Sequence, residues 1–130
     1  MTDVQHTIRR SVSCCGIGLH SGRKVTLSLK PARSGTGIRF RRADLGGVEI
    51  PATVANVDRL HYSTALSRDV GTVETVEHLL SALVSLGVDN VIVELNQAEV
   101  PIMDGSAPSF VYLVHEAGLK RLTEPRRYLK

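Results

Sequence analysis

The run Thr75-Val76-Glu77-His78 holds the side chains of this sequence best suited to hydrolytic chemistry. A glutamate can take a proton from water, and an adjacent imidazole can hold a metal ion that acidifies the same water. The same pair is commonplace on a solvated helix, and the dipeptide by itself favours that plain reading. The other histidines, His6, His20, His61 and His115, form no HxxxD or HExxH pattern with it. A catalytic metal ion needs several protein ligands besides its water, so these spacings do not complete a site. The adjacent Cys14-Cys15 is neither a CxxC pair nor a disulfide framework, and reads as a strand end with one side chain buried. Gly16-x-Gly18-x-x-Ser21-Gly22 misses the dinucleotide fingerprint by one position, and Gly35-Thr-Gly37 lacks the Lys-Ser/Thr of a P-loop.

The elements that must position these residues are legible as two periodicities. Alternation with period two marks strands: Ile8, Val12 and Cys14 share one parity, and Val25, Leu27 and Leu29 face inward across Lys24–Lys30. Ile38 and Phe40 oppose Arg39 and Arg41, and Val48, Ile50 and Val54 continue the pattern. Turn residues separate them at Gly16-Ile-Gly18, Ser21-Gly22, Ser34–Gly37 and Gly46-Gly47. From residue 72 the period becomes helical. Val73, Val76, Leu79, Leu80, Leu83 and Val84 form a stripe, with Thr72 as N-cap and Gly87 at the stop. Val88–Leu95 reads as a central strand. A loop holding Met103-Asp104-Gly105 leads to Ser106 as the N-cap of a second helix, stopped by Gly118.

This order predicts an α+β two-layer sandwich, a mainly antiparallel sheet with two helices on one face. The expected domain is residues 1–118, with 119–130 as a basic linker. His78 falls opposite the apolar arc of the first helix, beside the small residues Ala82 and Ser85. The second helix is apolar almost all round, which predicts burial on more than one side. Together these features predict that another layer packs on the helices.

Charge narrows the partners. The chain has 130 residues, with 16 Lys+Arg against 13 Asp+Glu, enough for one modest core. Residues 1–47 carry nine basic and two acidic groups, whereas residues 48–118 carry two basic and ten acidic. The positive charge belongs to the N-terminal third and the tail. Single-strand binding needs stacking platforms as well as a basic groove. Only Phe40 interleaves with Arg39, Arg41 and Arg42, so a solvated strand face, or a patch for a small anion, accounts for the cluster better than nucleic acid. The longest nearly apolar stretch, Leu79 to Val88, is too short to span a bilayer. The first residues lack the apolar region of a signal peptide, so the expected compartment is the cytoplasm.

Four stretches in order carry a family resemblance. They are Gly16-Ile-Gly-Leu-His-Ser-Gly22, Thr75-Val-Glu-His-Leu79, Val88-Asp-Asn-Val-Ile-Val-Glu-Leu95, and Pro101-Ile-Met-Asp-Gly-Ser-Ala107 with Phe110-Val-Tyr112. With them the whole chain resembles the N-terminal half of the UDP-3-O-acyl-N-acetylglucosamine deacetylases, zinc hydrolases of lipid A biosynthesis. The resemblance implies one half of a β-α-α-β enzyme whose two domains face each other through their helices. It implies Glu77 as general base and His78 as a zinc ligand. His20 then lies in a turn near the active site, and Tyr62 and Ser63 in a loop that contacts the substrate. The remaining zinc ligands, a His and an Asp four apart, are expected from the C-terminal domain, with the lysine and histidine that assist the reaction. The expected substrate is a UDP-linked acylated glucosamine, and this half alone is expected to be inactive. The alternatives are a stand-alone binding or regulatory domain of the same shape and a basic nucleic-acid module.

Overall fold

The structure, a computed structural model, describes residues 4–52, 57–59, 64–68, 71–102 and 109–126. β1 (Val4–Ile8) and β2 (Val12–Gly18) are followed by β3 (Lys24–Pro31), β4 (Ile38–Arg42) and β5 (Val48–Pro51). A meander of β6 (Val57–Arg59), β7 (Thr64–Arg68) and β8 (Gly71–Glu74) precedes α1 (Glu77–Ser85). Then come β9 (Val91–Leu95), β10 (Pro101–Ile102), α2 (Ser109–Ala117) and β11 (Leu119–Pro125). The main sheet runs β10-β2-β3-β9-β4-β5. β9 is central as expected, antiparallel to β3 and parallel to β4.

The clean alternation of the strands becomes one dry face. Val25, Leu27, Leu29, Phe40, Ile50, Val91, Val93 and Leu95 are fully buried. They share one core with Leu79 and Leu83 of α1 and Leu113 and Val114 of α2. The predicted two-layer α+β sandwich is what forms. Burial of each such side chain is worth about 1.5–3 kcal/mol, so this face drives the fold.

The opposite parity faces water and is laced by ion pairs. Glu94 lies 3.1 Å from Lys30 and 3.5 Å from Arg41. Glu49 lies 2.9 Å from Arg41 and 3.5 Å from Arg39. Arg42, by contrast, shares the parity of Phe40 and is buried, and it grips Asp44 through two hydrogen bonds of 2.9 and 2.7 Å. Arg39 and Arg41 are thus balanced within their own sheet, as a solvated strand face should be, whereas Arg42 departs from that expectation because it is buried and pairs with Asp44 in the turn that follows.

Several local expectations are corrected. The alternation from Ile8 to Cys14 is not one strand, because it breaks at Arg9-Arg10-Ser11. There the chain turns to meet the C-terminal end of α2. The Arg9 amide donates to the Gly118 carbonyl (2.8 Å) and the Arg10 guanidinium to that of Glu116 (2.9 Å), satisfying acceptors the helix leaves open. The first seven residues of the expected linker are β11, which pairs antiparallel with β1, His6 opposite Arg121 and Ile8 opposite Leu119. A tail of exposed cations can still pair its backbone. Thr72 does not cap α1, since it pairs with Ser67 inside β8. Thr72, Val73, Thr75 and Val76 are β-branched and favour extended backbone, so the helix starts only at Glu77. Cys14 and Cys15 lie within β2 rather than at its end, and the turn follows Gly18. Ser106, Val54 and Met103-Asp104-Gly105 lie outside the described residues.

The helix faces differ in detail from the periodicity reading. On α1, Ala82 is buried with Leu79 and Leu83, and Ser81 takes its place beside His78 and Ser85 on the exposed side. On α2, Phe110, Leu113, Val114 and Ala117 are buried, whereas Tyr112, His115 and Glu116 are exposed. Val84 and Tyr112 present the largest apolar exposure of the helical layer, 69% and 62%.

Candidate active site at the start of α1

Glu77 and His78 open the first turn of α1, and both are exposed. The helix has no side-chain cap, its N-cap position being Val76. What fixes its entry is the residue before. Thr75 has φ 62°, the only positive φ among described non-glycine residues. A β-branched residue is rarely found there and needs surrounding contacts to hold it. The backbone on its N-terminal side is anchored, because the Glu74 amide donates to Ala98 (2.7 Å) and the Val100 amide donates to Glu74 (3.0 Å).

Between those anchors sits Glu99, a carboxylate only 3% exposed. It accepts from the Thr75 hydroxyl (3.0 Å), the His20 amide (3.1 and 3.0 Å to its two oxygens) and the Ser21 amide (3.1 Å). Burial is the strongest influence on its acidity and pushes the pKa up. The two amides and the hydroxyl together outweigh it, so the carboxyl lies below its usual range. Gly18 makes room for this carboxylate: a Cβ there would collide with Glu99 Oε1 and Ser21 Oγ.

The structure therefore joins the His20 turn to Thr75, two residues before Glu77, through a residue the sequence reading passed over. The His20 imidazole stands 4.0 Å from the same carboxylate. The missed signal was an acid set in the apolar run Ala98-Glu-Val-Pro-Ile102, since an ionisable group in such a run is either exposed or fully bonded. Tyr62 and Ser63 lie outside the described residues. Cys14 is partly buried, which pushes its thiol pKa up to about 11 and removes thiolate reactivity at neutral pH.

The donor set bears on metal binding. Among the described residues, no group of three or more His, Cys, Asp or Glu converges on one point. His78 offers a single accessible imidazole, so these residues do not complete a zinc site by themselves. No helix among the described residues is long and apolar enough to cross a membrane.

Comparison with known proteins adds the family. The chain is 53% identical over 127 residues to the UDP-3-O-acyl-N-acetylglucosamine deacetylase of Pseudomonas entomophila (strain L48), covering 97% of the chain and 42% of that protein. It is 48% identical over 128 residues to the enzyme of that name from Vibrio cholerae serotype O1 (strain M66-2), with the same coverage. The chain spans less than half the length of these curated relatives. The profile of the UDP-3-O-acyl N-acetylglycosamine deacetylases (LpxC) matches residues 5–130, and with the two-layer fold and the exposed Glu77–His78 turn in place, the chain belongs to that family.

Proposed function

We propose that this chain is the N-terminal part of a zinc-dependent amide hydrolase that removes the N-acetyl group from UDP-3-O-acyl-N-acetylglucosamine in lipid A biosynthesis. The observation that carries the reading is the exposed Glu77–His78 turn at the head of α1 in a member of this family. In this reading Glu77 accepts the proton of the attacking water. His78 is one zinc ligand, the rest coming from a C-terminal domain that packs on the helical layer. Zinc, when bound, supplies Lewis-acid polarisation and a more acidic water. His20, Tyr62 and Ser63 form the substrate side of the site. Residues 1–118, extended by β11, make up the first domain, and the compartment is the cytoplasm.

The division of labour follows from exposure. Both Glu77 and His78 reach solvent, so a substrate and a second layer can meet them without the core opening. The exposed Val84 and Tyr112 give that layer an apolar footing. By itself the 130-residue chain is expected to release no acetate, because the described residues hold too few ligands for zinc.

The test is made in the full-length protein. Glu77→Gln should lower acetate release by at least about 100-fold, the usual contribution of a general base, with zinc content unchanged. His78→Ala should lose the zinc. Full activity in the Glu77→Gln variant overturns the base assignment, and full zinc content in His78→Ala overturns the ligand.

A further inference from the structure

We propose that Glu99 is a positioning residue for the Glu77–His78 pair: its carboxylate holds Thr75 in a left-handed conformation against the His20 turn, and so sets how α1 presents its first two side chains. The proposal rests on the functional reading above for what the pair does, but the clamp itself is a matter of geometry.

Three observations converge. Thr75 occupies a conformation that a β-branched residue does not adopt unaided, and it stands two residues before Glu77. Its hydroxyl is spent on Glu99 (3.0 Å). The same carboxylate takes the backbone amides of His20 and Ser21, so a shift of either side is passed to the other. Among the described residues no lysine or arginine pairs with Glu99, whose one ionic neighbour is His20 at 4.0 Å. An acid with two oxygens fits three donors, whereas an amide at this place turns an N–H towards donors. The absence of a side-chain cap at Val76 leaves the entry angle of α1 to this clamp and to the backbone anchors at Glu74.

Glu99 touches neither metal nor substrate in this scheme. Its effect is on orientation, where displacements near 1 Å can cost about 100-fold in rate. A purely structural carboxylate would lower the melting temperature and leave the remaining folded molecules fully competent.

The experiment compares Glu99→Gln with Thr75→Val, which removes only the hydroxyl, in full-length protein well below each melting temperature. Glu94→Gln serves as the control. The readouts are kcat and KM for acetate release, the rate of zinc loss to a chelator, and amide hydrogen exchange. We expect Glu99→Gln to lower kcat by about tenfold to 100-fold, with KM within about twofold, and to speed zinc loss. Thr75→Val should go the same way by a smaller factor. The amides of His20, Ser21 and Leu80, the last of which donates to the Val76 carbonyl at the start of α1, should lose protection together, while those of β3 and β9 keep theirs. Wild-type kcat and zinc loss in both variants, with only a lowered melting temperature, overturns the proposal. So does loss of protection at His20 and Ser21 with α1 unaffected. If the wild-type protein binds no zinc and releases no acetate, the functional reading fails instead, and the exchange data alone decide whether the clamp orients α1.

Discussion

Glu94 and Glu99 are five residues apart and solve the same problem in opposite ways. Glu94 lies on the wet face of β9 and is held by cations: the Lys30 ammonium first, then Arg41, which with it outweigh burial and keep the carboxyl below its usual range. Glu99 lies just past the end of β9, buried and, among the described residues, without a lysine or arginine partner, held by backbone amides and one hydroxyl. Ion pairs on an open sheet cost little to break, because water replaces each partner. Removing a buried acceptor leaves several donors with nothing to bond. The same residue type is surface dressing in one place and a structural joint in the other.

The largest effect expected from this contrast is Glu99→Ala. It strands two amides and a hydroxyl and should cost about 2–4 kcal/mol of stability, read from denaturant unfolding. A loss no greater than that of Glu94→Ala breaks the comparison. Next is acidification. Both carboxyls are lowered in the folded state, so the stability each supplies is complete above the ordinary carboxylate range and fades as pH falls through and below it. The acid sensitivity of unfolding should shrink in both Glu99→Ala and Glu94→Ala. The smallest effect is Glu94→Ala itself, under about 1 kcal/mol. Roughly half-molar salt should erase that difference while leaving the Glu99 deficit in place, since screening reaches exposed pairs and spares buried hydrogen bonds.

The contrast also explains what could be read ahead of the coordinates. Val25, Leu27 and Leu29 had to face one way because a strand alternates, and all three are buried. Leu79 and Leu83 followed from helical spacing, and Gly87 and Gly118 ended the helices with positive φ. The helix start was misread because the apolar stripe ran straight through Val73 and Val76. Both are buried, but one belongs to β8 and the other to the connection after it. Hydrophobic spacing counts burial and does not see the backbone reversal at Thr75. β11 was misread for the converse reason, since its pairing with β1 uses backbone groups that a charged sequence does not advertise.

Sequence by itself determined the family, the inward faces of the main strands and the Glu77–His78 pair, because periodicity and motif are local properties of the chain. Only the tertiary structure decided that Gly18, His20, Thr75 and Glu99 meet at one corner. Hydrogen bonds between residues 79 and 24 positions apart depend on how β2, β10 and the start of α1 come together. No local pattern encodes that encounter, because an acid in an apolar run signals that it needs partners without naming them, and Glu99 acquires its donors only when the His20 turn and the start of α1 come together.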